Sequence, residues 1–133
     1  MKTLIVQSNR SLCEIWRAHL TRLNVDVAVA NDGFEAIDQI ENQQFDAILL
    51  DLMLEEGNAL SVADMAFFRQ PEANVIFVTD TTFFSDGSIF THSGNARALV
   101  QSATAPDDLA QIVLHYGNGV THGDEAPSDQ VAG

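Results

Sequence analysis

Residues 45–54 read Phe45-Asp46-Ala47-Ile48-Leu49-Leu50-Asp51-Leu52-Met53-Leu54. The apolar run from Ala47 to Leu50 is short and unbroken. It lacks the polar alternation of a half-exposed strand, so it suits a strand buried on both faces, as inside a parallel sheet. A strand is predicted over residues 45–50, ending at Asp51.

Similar runs recur along the chain. Leu4-Ile5-Val6, residues 25–30, residues 74–79 centred on Val75-Ile76-Phe77-Val78, and residues 98–101 all read as strands. Helical spacing fills the gaps. Ser11 to Glu14 has the spacing of a capping box, with Leu12, Ile15, Trp16, Leu20 and Leu23 behind it. Asp32 and Glu35 repeat that logic before Phe34, Ile37 and Ile40. A third helix is expected near Asn58, with Leu60, Ala63 and Phe67 on its buried stripe and Pro71 beyond its end. Pro106, Asp107 and Asp108 suit the first turn of a last helix. Leu109, Ile112 and Val113 give its buried face and Gly117 ends it. Residues 80–94 mix Phe83, Phe84, Ile89 and Phe90 with Gly87, so any helix there is short or broken.

Five short strands alternating with helices imply an α/β doubly wound parallel sheet covered on both faces, in the order 2-1-3-4-5. Ligand sites then lie at the carboxyl ends of the strands. Three places qualify: Gln7-Ser8, Asp51 and Thr79-Asp80. The chain of 133 residues is sized for one domain. Residues 1–116 are expected to form it, and residues 117–133 an acidic disordered tail.

Nineteen acids against six bases give a net charge of −13. Nucleic acid and anionic membrane surfaces are thereby disfavoured as partners. Cys13 is the single cysteine, which excludes an internal disulfide and multi-cysteine metal centres. No apolar run is long enough for a membrane helix, and the N-terminal apolar core is too short for a secretory signal. A cytoplasmic location is the expectation. His19, His92, His115 and His122 are scattered and read as surface or packing residues, and Trp16 and Cys13 as core.

The order and spacing of four segments resemble the receiver domain of two-component response regulators, a flavodoxin-like fold. These are residues 45–54 around Asp51, Asn31-Asp-Gly-Phe-Glu-Ala36, Val75-Ile-Phe-Val-Thr79 and Pro106-Asp-Asp-Leu109. The resemblance covers roughly residues 3–116. It implies that Asp51 occupies the phosphoacceptor position and Thr79 the phosphoryl-contact position. Attack of one anion on another needs a divalent cation and a fixed cationic side chain. In receivers an acidic pair after the first strand holds Mg²⁺, and a lysine after the fifth pairs with the phosphoryl group. Here Gln7 and Ser8 stand at the acidic-pair positions. Gln101 or Ser102 stands at the lysine position, and Lys2 is the only lysine in the chain. Arg97 falls at the opposite end of the fifth strand, and the aromatic switch position falls on Ala98 or Leu99.

These departures imply a degenerate receiver. The expectation is a stand-alone signalling module and not an enzyme, with aspartyl phosphorylation impaired or absent. It would need no cofactor. Its partner would be a histidine kinase, another regulator or an output protein, and a homodimer is also admitted. Phe83, Phe84, Ile89 and Phe90 are the candidate partner surface. An alternative is a phosphorylatable receiver whose Mg²⁺ site is rebuilt from Asp51 with Asp80 or Glu55 and Glu56. A third reading is a small-molecule protein of flavin type. It is weakened by the absence of a glycine-rich phosphate loop after the first strand.

Overall fold

The computed structural model describes residues 1–80 and 96–117. The candidate partner surface at Phe83, Phe84, Ile89 and Phe90, and the tail from 118 onward, lie outside the described residues. The elements are β1 (Lys2–Val6), α1 (Arg10–Arg22), β2 (Asp26–Ala30), α2 (Gly33–Asn42), β3 (Ala47–Asp51), α3 (Ala59–Arg69), β4 (Asn74–Thr79), β5 (Ala96–Gln101) and α4 (Pro106–Gly117). The strands form one parallel sheet in the order β2-β1-β3-β4-β5, as expected.

Strand alternation sorts the core into two layers. Leu4, Val6, Ile48, Leu50, Val75 and Phe77 face α2 and α3. Ile5, Ala47, Leu49, Ile76 and Val78 face α1 and α4, where Trp16, Leu20, Leu109 and Val113 complete the layer. Trp16 and Cys13 are both core residues, each 2% exposed. Among the described residues, the Trp16 indole N–H is buried without a hydrogen-bond partner.

Several boundaries and faces differ from the sequence reading. Asn9, not Ser11, caps α1, because its side chain accepts from the Leu12 N–H. Glu14, freed from a capping role, pairs with Arg17. The cap of α2 is as read: Asp32 accepts from Glu35 N–H at 2.8 Å, and Glu35 reaches back to Asn31 N–H at 2.8 Å. Phe45 lies outside β3, and its N–H donates to the Gln70 side chain instead of to the sheet. β5 begins two residues earlier than read. It passes a register shift opposite Val75 and Ile76, so that Arg97 is the extra residue. Ile15, Phe34 and Phe67 are exposed rather than on buried faces. The buried face of α3 is built from Ala59, Val62, Ala63 and Ala66, and α2 packs directly against it. Small residues allow that close approach and push the larger side chains to the rim.

Candidate functional site at the carboxyl edge of the sheet

The parallel registers bring the ends of β1, β3 and β4 together. Val6 lies beside Leu50, and Asp51 beside Val78. Gln7, Ser8, Asp51, Met53, Asp80 and Ser102 line one open cleft there. Thr79 ends β4 and is buried. Its carbonyl accepts from Ser102 N–H at 2.8 Å, which draws Ser102 into the cleft. Gln101 is exposed and does not line the cleft. The strand register thus separates two positions that counting residues could not.

Asp51 is buried, with both carboxylate oxygens engaged by donors. Gln7 Nε2 donates to Oδ2 at 2.6 Å, and Met53 N–H donates to Oδ1 at 2.7 Å. The Gln7 orientation is fixed from both sides, because its Oε1 accepts from Asn9 N–H at 2.9 Å. Ser8 makes no such bond to Asp51, contrary to what a hydroxyl at that position suggests. Its Oγ accepts the Glu55 N–H at 3.0 Å. Met53 was not singled out by sequence, since any residue two positions past an aspartate can supply this backbone donor.

The loop after β3 is held at further points. Leu52 N–H donates to Val78 carbonyl at 2.8 Å, and Gly33 N–H to Glu56 carbonyl at 2.9 Å. Gly57 adopts φ +85° and packs backbone to backbone on Gly33, where an added Cβ would sit 2.7 Å from the Gly33 Cα. A side chain at residue 57 would therefore clash and strain the turn.

Burial pushes the Asp51 carboxyl above the ordinary carboxylate range. The bonds from Met53 and Gln7 oppose this, and the charge of Asp80 adds to the rise. The sign for stability follows. The folded state holds the Asp51 proton more tightly than the unfolded chain does. The contribution of Asp51 to stability therefore falls as pH rises from the unfolded pKa through the folded one. Asp51→Asn removes this burden but sets an amide N–H against one of the two donors. At pH 7 the variant should lie within about 1 kcal/mol of wild type. Its melting temperature relative to wild type should rise between about pH 4 and pH 7. A constant or reversed difference across that range contradicts the assignment.

The resemblance implies Mg²⁺ at this edge, and Gln7 does not fit it. Hard divalent cations take oxygen ligands, whereas Gln7 presents a neutral N–H₂ to Asp51 and spends its carbonyl on Asn9. Among the described residues, no group of three or more His, Cys, Asp and Glu side chains is placed to hold a metal. The alternative rebuilt site is met in part, since Asp51, Asp80 and Glu55 border one cleft. Glu55 also lines a neighbouring cleft with Glu56, Asp32, Glu35 and Arg10, and Glu56 does not border the Asp51 cleft. Arg97 lies at the far end of the sheet, donating to Asn74 Oδ1 at 2.9 Å. His19 lies within 3.3 Å of Asp107, and His115 stacks edge-on against Tyr116.

A parallel 2-1-3-4-5 sheet with an aspartate at the end of β3 and a threonine at the end of β4 agrees with the receiver resemblance. The sequence matches the response regulator receiver domain over residues 3–113, and the chain belongs to that family. It is 29% identical over 75 residues to the regulatory protein LuxO of Vibrio cholerae, covering 56% of this chain and 16% of that protein. It is 32% identical over 79 residues to the transcriptional regulatory protein DltR of Streptococcus agalactiae, covering 59% and 35%. The match therefore spans well under half the length of these relatives. A receiver domain protein from Methanospirillum hungatei superposes with a TM-score of 0.82 at 20% identity, covering 92% of this chain and 98% of that one. The receiver domain of the sensor histidine kinase PA1611 from Pseudomonas aeruginosa, solved with a coordinated magnesium ion, gives 0.77 at 21% identity, covering 89% and 98%. Among the described residues, no helix is long and apolar enough to cross a membrane.

Proposed function

We propose that this receiver domain is of the degenerate type and signals by protein–protein recognition, with aspartyl phosphorylation impaired or absent. The observation that carries the reading is the Gln7 amide bonded to Asp51. The family's chemistry needs positive charge at that point, and a neutral donor supplies none. The lysine is missing as well: Ser102 borders the cleft and the only lysine, Lys2, starts β1. Each lost charge contact costs a few kcal/mol of transition-state stabilisation, hence orders of magnitude in rate.

On this reading the protein is cytoplasmic, needs no cofactor and is not an enzyme. Its partner is a histidine kinase, another regulator or an output protein. Family membership supports signalling over the flavin-type alternative. The two-component assignment and the altered site together predict recognition that ignores Asp51. Partner capture from the native cell extract should be equal for wild type and Asp51→Ala. Capture lost with a folded Asp51→Ala, and kept by wild type, would replace this reading with the phosphoacceptor one.

A further inference from the structure

We propose that Asp51 is the central acceptor of a metal-independent clasp that fixes the loop after β3 to the turn between β1 and α1. The proposal rests on the degenerate reading of the same site and adds what the altered residues do in place of the missing chemistry.

The clasp can be followed bond by bond. Met53 N–H and Gln7 Nε2 both donate to Asp51, so one carboxylate joins the start of the loop to the end of β1. Asn9 N–H donates to Gln7 Oε1, and Asn9 in turn caps α1 through Leu12 N–H at 3.1 Å. Asn31 Nδ2 donates to the Gln7 carbonyl at 3.0 Å, which ties in the segment between β2 and α2. Ser8 Oγ accepts from Glu55 N–H, a second and separate link between the same two segments. Gln7 is 3% exposed and its bond to Asp51 is buried, so water competes weakly for that bond and either partner left unpaired would be costly.

An ion shared between carboxylates would hold these two segments only when bound. The bonds from Gln7 and Ser8 hold them without an ion. The two residues at the acidic-pair positions thus have distinct tasks. Gln7 neutralises the hydrogen-bonding capacity of Asp51 and reaches the cap of α1. Ser8 receives the loop amide directly. The arrangement around Asp51 is consequently insensitive to divalent cation.

Residue-resolved amide hydrogen exchange on the full chain tests this, with EDTA or millimolar MgCl₂ as the only additive. In wild type, exchange at Asn9, Met53 and Glu55 should be slow in EDTA and change by less than about twofold with Mg²⁺. Ser8→Ala should speed Glu55 exchange about fivefold or more and leave Met53 unchanged, since one hydrogen bond is removed. Gln7→Leu should speed Asn9 exchange by a similar factor. If that variant fails to fold, the half-buried Ser8 site still decides the matter. Mg²⁺ slowing Met53 exchange more than about tenfold in wild type, or Ser8→Ala leaving Glu55 unchanged, overturns the clasp. Phosphorylation of wild type by a small phosphodonor would instead overturn the degenerate reading. No phosphorylation together with Mg²⁺-sensitive exchange would sink the clasp alone.

Discussion

Phe77→Ala should lower stability by about 3–5 kcal/mol, a large part of the roughly 5–15 kcal/mol that holds a typical domain together. Phe77 lies at the centre of β4, paired with Leu50 on one side and Leu99 on the other. It is fully buried in the layer beneath α2 and α3. Its partner Leu50 sits on β3, a strand paired on both sides, so that wall of the cavity cannot close by local collapse. Phe68, by contrast, is 77% exposed on α3. Phe68→Ala should change stability by no more than about 0.5 kcal/mol. Urea unfolding of both variants checks the pair. Similar midpoints for the two would contradict the placement of the core.

Gln70→Leu should cost about 2–4 kcal/mol although it changes side-chain volume little. The Gln70 side chain is buried at the C-terminal cap of α3. Its Nε2 donates to the carbonyls of Ile40 at 2.8 Å and Gln43 at 2.5 Å, and its Oε1 accepts Phe45 N–H at 2.8 Å. One amide therefore closes the end of α2, the entry to β3 and the end of α3. Leucine leaves the Ile40 carbonyl and the Phe45 N–H buried with no replacement partner. Calorimetric melting of the variant measures the loss. A melting temperature equal to that of wild type would show that these groups find other partners, and would remove Gln70 from the account.

Gln70 does not stand out in the sequence. A glutamine before Pro71, like Asn74 at the start of a strand, looks solvent-facing because polar residues gather at element ends. Only the fold shows that Gln70 points inward, and that Asn74 Nδ2 holds the Tyr116 carbonyl at 2.7 Å. The strands were legible for a simple reason. Leu4 to Val6, Ala47 to Leu50 and Val75 to Val78 are buried on both faces, and such burial leaves a continuous apolar run. Helix faces were less legible. Phe34, at 69% exposure, and Phe67 continue apolar stripes that the structure covers only in part. The buried face of α3 is mostly alanine, and alanine carries little weight in a hydrophobic pattern.

At the site, sequence position located Gln7, Ser8, Asp51 and Thr79 at strand ends. What it could not supply was direction. Whether Gln7 turns its oxygen or its nitrogen toward Asp51 depends on Asn9 N–H, a backbone group with no sequence signature. Whether Gln101 or Ser102 borders the cleft depends on the pairing of Thr79 with Gln101 across a shifted register. Glu55 and Glu56 are adjacent in sequence and both acidic, yet only Glu55 borders the Asp51 cleft, while both line its neighbour.

On the degenerate reading, Asp51 sits in the acceptor position without the charge needed to use it. Intact-mass measurement after incubation with acetyl phosphate, with and without MgCl₂, tests it most directly. A fully functional receiver is treated in parallel. No phosphate adduct is expected on the wild-type chain, and no effect of Mg²⁺, when the control is modified completely, a rate lower by at least about 10²–10³. A Mg²⁺-dependent adduct on the wild-type chain that disappears in Asp51→Asn would contradict it.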